Sequence, residues 1–193
     1  SDYAALITTG TVLAAQPSRD ATFKAFATAK NAGLPVIFDI DYRPYSWGSN
    51  EEAAQVYSMA ARYCDIVIGN DDEFGVMAGG KEKGKAFAEN LARTTASIVV
   101  YKMGEFGSVT FAGDRSFTTG IFRVDALKPT GAGDSFMGAF IASLAAGQPL
   151  ETCVQRGSAA AAIVVSRVGC APAMPTNEEL EEFIKNHAGI SAT

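Results

Sequence analysis

Apolar and polar positions follow two rhythms along this chain. Short apolar runs bounded by Gly, Pro or Asp read as buried strands, and stretches with apolar residues every third or fourth position read as helices. The first strand is expected at Ala4–Thr8. Ser18 is placed as an N-cap, with Phe23, Phe26, Ala27 and Lys30 following at helical spacing until Gly33 and Pro35 stop the helix. Leu34–Asp39 is the second strand and runs into Asp39-Ile40-Asp41-Tyr42-Arg43. Ser49-Asn50-Glu51-Glu52 has the spacing of a capping box and opens a helix to about Tyr63. Asp65–Gly69 is a third strand, followed by Asn70–Glu73, a short helix ending at Gly79-Gly80, a helix over Lys83–Arg93 and a strand over Ser97–Tyr101. Between Gly104 and Val124 the rhythm changes. Ser108–Phe111, Ser116–Thr119 and Phe122–Val124 are separated by turn residues and are expected as antiparallel edge strands. Gly133–Ala146 and the Ala-rich Leu150–Arg167 are helices, the latter expected to be buried. Thr176-Asn177-Glu178-Glu179 opens an amphipathic last helix.

Strands alternating with helices imply an α/β fold, with a mostly parallel sheet covered on both faces and antiparallel strands at one edge. The chain has 193 residues, 48% of them hydrophobic, and is read as one domain over residues 1–193. A chain of this length buries roughly 70% of the surface its unfolded form exposes. Its mean hydropathy of +0.09 and modest net charge of −5 argue against disorder. The acidic balance argues against a nucleic-acid partner. No apolar run reaches the roughly 18–20 residues of a membrane helix, so no membrane partner is expected. Cys64, Cys153 and Cys170 match no zinc or CxxC spacing and read as reduced thiols of a cytoplasmic protein. Ala4-Ala5-Leu6-Ile7 reads as a strand with almost no lead-in, as expected of a chain cut from a longer one.

The segment richest in chemistry is Lys128-Pro129-Thr130-Gly131-Ala132-Gly133-Asp134-Ser135-Phe136. Small residues directly before a helix leave N–H groups and the positive end of the helix dipole facing outward, which suits an anion. Asp134 adds a carboxylate to that cradle. Beside a bound anion its charge is unfavourable unless it has a task, and taking a proton from an attacking hydroxyl is such a task. Two other phosphate loops fail here. Gly133 and Gly138 have the Walker spacing, but Ala139 and Phe140 follow where Lys and Ser/Thr are needed. Gly131 and Gly133 begin a dinucleotide fingerprint, but its third glycine is Phe136. That absence speaks against a Rossmann-type oxidoreductase.

Thr130-Gly131-Ala132-Gly133-Asp134-Ser135-Phe136 resembles the C-terminal signature of the ribokinase-like (PfkB) carbohydrate kinases, and the resemblance extends over nearly the whole chain. Asn70-Asp71-Asp72-Glu73 resembles the family's Asn-x-x-Glu motif. Lys102-Met103-Gly104-Glu105-Phe106-Gly107 resembles its nucleotide-binding turn, and Ser158–Ala162 the small-residue helix beside the adenine. Asp39–Arg43 resembles an Asp-x-Asn-x-Arg strand end, with Asp41 in place of Asn. The run Phe38–Trp47 is most similar to members that phosphorylate a keto-deoxy sugar acid of inositol catabolism.

The resemblance implies a three-layer ribokinase-like core and an ATP-dependent kinase of a small sugar or sugar acid, with ATP and Mg²⁺ as cofactors. Asp134 would be the catalytic base and also touch the substrate. Gly131, Ala132 and Gly133 would supply the anion hole for the transferring phosphoryl group. Asn70, Lys102, Gly104, Gly107, Ser158 and Ala161 would face the nucleotide. Glu73 and Asn70 would organise Mg²⁺ and its water. Arg43 would meet a phosphate or the acid substrate's carboxylate. His187 is expected to be solvated and has no role. The alternatives are a nucleotide-binding fragment without catalysis, or a kinase for fructose, ribose or 2-dehydro-3-deoxygluconate.

Two departures from the family pattern bear on these expectations. Many members carry Asp where this chain has Lys128, and there the Asp helps hold a monovalent cation. A Lys ammonium would replace that ion's charge, so activity is expected to be independent of K⁺. The N-terminal strands and the lid of full-length members are expected to be missing, leaving a homo-oligomer open and the isolated chain able to bind nucleotide yet a poor catalyst.

Overall fold

The computed structural model describes residues 2–187. The chain divides into two compact units, one of Ser1–Met103 with Val109–Ser116, the other of Gly104–Ser108 with Phe117–Thr193.

In the first unit, four parallel strands follow one another in chain order: β1 (Leu6–Thr9), β2 (Val36–Asp39), β3 (Ile66–Asn70) and β4 (Ile98–Lys102). Helices α1 (Ser18–Asn31), α2 (Asn50–Ala61), and α3 (Asp71–Ala78) with α4 (Gly84–Thr94) make the three crossovers. The sheet continues through β5 (Ser108–Ala112) and β6 (Arg115–Thr119), giving the order β1-β2-β3-β4-β5-β6. The short links before β5 and β6 are too brief for a parallel crossover, so these two strands are antiparallel to their predecessors. The expected mixed α/β sheet is therefore present.

Every residue of β2 is buried, as parallel strands covered on both faces require. Around it pack Leu13, Phe26, Tyr57, Phe74 and Val99, all fully buried. The last residues of β3 and β4 stand side by side, and β2 ends two residues short of them. Asp39 is level with Ile68, and Asn70 with Lys102. In open parallel sheets this carboxyl end is where ligands bind.

The second unit is built on three helices, α5 (Ala132–Ala145), α6 (Leu150–Val165) and α7 (Asn177–Asn186). The burial expected of α6 is borne out at Cys153, Val154, Gly157, Ala159, Ala160, Ile163 and Val164. Arg156 ties α6 to its neighbours through Ser143 Oγ at 2.8 Å and Asn177 Oδ1 at 2.7 Å. Thr176 and Glu179 form the full reciprocal box expected at the start of α7.

Four expectations change. The first strand, read as buried, is only half-buried, with Ile7 exposed. Ser18 is not a cap: Pro17 precedes the helix, and the Ser18 hydroxyl donates to the Ala15 carbonyl at 2.8 Å. Phe122–Val124 is not a strand. Phe122 is buried by its ring, edge-on to Phe183 in a cluster with α6 and α7, so the apolar signal there reports side-chain packing rather than a ladder. His187 is half-buried rather than solvated, stacked on Phe183 with its Nδ1 2.8 Å from the Phe183 carbonyl. The thiols of Cys64 and Cys153 are buried and that of Cys170 is exposed.

Candidate active site

In the first unit, the chain leaving β2 passes through Ile40, whose amide still pairs with Ile68, into Asp41, Tyr42 and Arg43. Asp41 has φ 40°. Its carboxylate lies 2.6 Å from Arg43 Nη2. Tyr42 is fixed at both ends: its hydroxyl meets Asn50 Oδ1 at 2.5 Å and its amide donates to Glu73 Oε1 at 3.1 Å. Its ring stands edge-on to Tyr57.

Glu73 joins this segment to the start of α3. Its second oxygen accepts the Asn70 amide at 2.6 Å, while Asn70 Oδ1 accepts the Glu73 amide at 2.9 Å. Asn-x-x-Glu is thus a complete capping box whose acid also reaches across to the strand end of β2. The Glu73 side chain is buried. Desolvation raises its pKa above the ordinary carboxylate value, opposed by the Lys102 charge and by the Asn70 and Tyr42 amides. Both Glu73 oxygens already serve backbone amides. Any water or ion would have to use their remaining lone pairs. Among the described residues no three His, Cys, Asp or Glu side chains gather into a metal cage.

The second unit carries the glycine segment. Gly131 is the N-cap of α5 at φ 88°, a left-handed backbone suited to glycine. A Cβ there would stand 2.9 Å from Cys170 Sγ and 3.2 Å from Val164 Cγ1. The loop before it is tied down by the Leu127 amide on the Val165 carbonyl at 2.7 Å, and by Lys128 Nζ on the Thr130 carbonyl at 2.7 Å. No side chain caps the helix. Ser135 makes the first helical bond, to Gly131, and the Ala132 amide reaches the Pro129 carbonyl at a long 3.3 Å. The amides of Gly133 and Asp134 have no partner further back in the helix and are left for an external acceptor. Asp134, in the first turn, is exposed. Its carboxylate makes no ion pair or hydrogen bond among the described residues.

The other predicted residues are placed as follows. Lys102 is half-buried at the end of β4, level with Asn70. Gly104 and Gly107 bracket a single 3-10 turn closed by the Gly107 amide on the Gly104 carbonyl at 3.1 Å. Gly107 has φ 79°, and a Cβ there would lie 2.2 Å from the Thr119 carbonyl, so only glycine fits. Ser158 and Ala161 lie one turn apart on α6, both half-buried, and the Ser158 hydroxyl donates to the Gly120 carbonyl at 3.0 Å. The fold therefore gathers Arg43, Asn70, Glu73 and Lys102 at one end of the parallel sheet, and Gly131 to Asp134 at one helix start. Sequence reasoning missed the wall that Cys170 and Val164 make behind Gly131, for which no local signal exists. It also missed the tie from Glu73 to Tyr42.

The sequence model of the pfkB family carbohydrate kinases matches residues 2–177. The chain belongs to this family. It is 45% identical over 185 residues to the 5-dehydro-2-deoxygluconokinase of Photobacterium profundum, covering 93% of this chain and 56% of that protein. It is 42% identical over 184 residues to the enzyme of the same name from Bacillus subtilis, again covering 93% and 56%. The chain thus spans little more than half the length of these relatives. Among solved structures, the fructokinase of Vibrio cholerae O395, in a form binding fructose, ADP and calcium ion, superposes with a TM-score of 0.84 at 25% identity, over 92% of this chain and 59% of that one. The ribokinase-like α/β fold expected from the pfkB signature is thus the fold observed. No helix of the described residues is long and apolar enough to cross a membrane.

Proposed function

We propose that this chain is the nucleotide-side portion of a kinase that transfers the γ-phosphoryl group of ATP to a hydroxyl of a small sugar acid, 5-dehydro-2-deoxy-D-gluconate, in cytoplasmic inositol catabolism. One observation carries the reading: an exposed, unpaired Asp134 carboxylate in a first helical turn whose amides are left open behind a left-handed Gly131. The identity to kinases of that sugar acid supports the choice of substrate.

In this reading Asp134 accepts the proton of the attacking hydroxyl. The amides at Gly131 and Gly133, joined by that of Ala132 once it leaves its long bond to the Pro129 carbonyl, hold the oxygens of the phosphoryl group, where charge stabilisation matters more than covalent chemistry. Arg43 meets the substrate's carboxylate with a planar fork. Lys102, Gly104 and Gly107 approach the nucleotide, and Ser158 and Ala161 present small side chains to its base. Mg²⁺, when bound, would neutralise phosphate charge. The absence of a three-carboxylate cage among the described residues fits an ion held mainly by phosphates and water, with Asn70 and Glu73 meeting its water shell.

The deciding experiment replaces Asp134 by Asn in the complete protein and measures ADP release with the sugar acid. The rate is expected to fall by about 10²–10⁴, with nucleotide affinity nearly unchanged. An intact rate removes Asp134 from the role of base. The length of the relatives favours a second reading for the chain taken alone, nucleotide binding without turnover. Calorimetry with a non-hydrolysable ATP analogue, run beside the ADP assay, separates the two.

A further inference from the structure

Asp41 is the one residue other than glycine with positive φ among the described residues. At φ 40° its Cβ crowds the backbone, and glycine would adopt this conformation without strain. For folding alone, then, glycine suits the position better. What aspartate adds is its carboxylate, 2.6 Å from Arg43 Nη2. An ion pair this exposed contributes little to stability. It does restrict a long side chain: the Arg43 side chain is 49% exposed and, among the described residues, otherwise makes only a 3.4 Å approach from Nη1 to the Tyr42 carbonyl. The residue between the two is held at two points. Tyr42 is anchored through its amide to Glu73 and through its hydroxyl to Asn50. The Asp41 contact engages Nη2 and the Tyr42 carbonyl takes one N–H of Nη1, so a planar anion would meet the N–H groups that these two contacts leave over.

We propose that Asp41 is a positioning residue: held in a left-handed backbone at the end of β2, it fixes the direction of the Arg43 guanidinium so that Arg43 meets the carboxylate of a sugar acid already oriented. The advantage is preorganisation, because a side chain ordered beforehand need not be ordered on binding. The inference rests on the assignment of Arg43 to the acceptor substrate.

The test uses the complete protein with Asp41→Gly, Asp41→Asn, Arg43→Gln and the double variant Asp41→Gly/Arg43→Gln. Asp41→Gly is expected to keep or raise the unfolding midpoint. It weakens sugar-acid binding about three- to tenfold by calorimetry, the worth of ordering one long side chain. KM for the acid rises in step while kcat and nucleotide affinity hold. Asp41→Asn tolerates the same backbone and keeps an oxygen toward Arg43, so it loses less. On the Arg43→Gln background the Asp41 change adds nothing further. Sugar-acid binding unchanged in Asp41→Gly, or an equal loss with and without Arg43, overturns the proposal. A wild-type protein that binds the sugar acid but releases no ADP sinks the kinase reading alone, and the binding comparison still judges Asp41. A wild-type protein that binds no sugar acid overturns the Asp41 proposal as well.

Discussion

The end of the parallel sheet and the start of α5 use charge in opposite ways. At the sheet end the acidic groups are committed. Glu73 holds two backbone amides, and Asp41 holds Arg43. At the α5 start the donors and the acid are uncommitted: Gly133 and Asp134 face outward behind a helix with no side-chain cap. A buried charge without partners is costly, so an acid inside a sheet edge ends up wired into the backbone. A helix N-terminus at the surface is relieved by water, so its amides and a neighbouring carboxylate can wait for a ligand. One region is scaffold and orientation, and the other is reactivity.

Breaking the reactive side is expected to have the largest effect. Asp134→Asn lowers turnover by about 10²–10⁴ and leaves the unfolding midpoint in place, because the side chain makes no contact that folding relies on. Breaking the scaffold side shows the reverse order. Glu73→Ala strands two half-buried amide donors and is expected to cost about 2 kcal/mol in urea unfolding, the low end of about 1–3 kcal/mol for each unsatisfied group. Glu73→Gln keeps one acceptor and costs about half as much. If Glu73→Ala unfolds at the wild-type urea concentration, the carboxylate does not tie the β2 end to α3.

Gly131→Ala sits between the two classes. A left-handed backbone with a Cβ costs about 1–2 kcal/mol, and the new methyl meets Cys170 Sγ. A fall of about 2–8 °C in the unfolding midpoint is expected together with weaker nucleotide binding. A smaller effect comes from pH. Burial raises the Glu73 pKa above its ordinary value of 4.5, so the folded state holds this proton more tightly than the unfolded chain. Its contribution is fully present below 4.5 and is lost as pH rises through the folded value. Urea unfolding of wild type and Glu73→Gln across mildly acidic to neutral pH should show the wild type losing this increment and the variant lacking it. Smallest of all is the response to potassium. With Lys128 bonded to the Thr130 carbonyl beside the loop, replacing sodium by potassium at fixed ionic strength is expected to change the rate less than about twofold. A large stimulation would show that Lys128 does not stand in for a cation.

Much of this protein was legible locally. The capping signals at Ser49 and Thr176 each open a helix where the residues predict one, while the one at Ser18 does not. Cap chemistry depends on atoms within four residues of one another, which is why it reads so well. The Ser49 box is only half made, because Glu52 turns to Arg19 at 2.8 Å instead of to the Ser49 amide. That choice depends on a residue far away in the chain. Phe122–Val124 misled for a related reason: an apolar triplet states that it will be buried, not by what. The glycine segment ahead of α5 was legible because a left-handed glycine, open amides and a following acid are all properties of a few consecutive residues.

Residue spacing alone carried the order of strands and helices, most helix starts and the open helix terminus with Asp134, since each follows from hydrogen bonding and burial among near neighbours. It took the folded chain to bring Glu73 from its own cap to the Tyr42 amide, to set Asp41 on Arg43 from a left-handed backbone, and to stand Cys170 and Val164 where a side chain at Gly131 would go. Those are contacts between, or shaped by, segments brought together by the sheet and by helix packing. Their energies depend on distances that residue spacing does not encode.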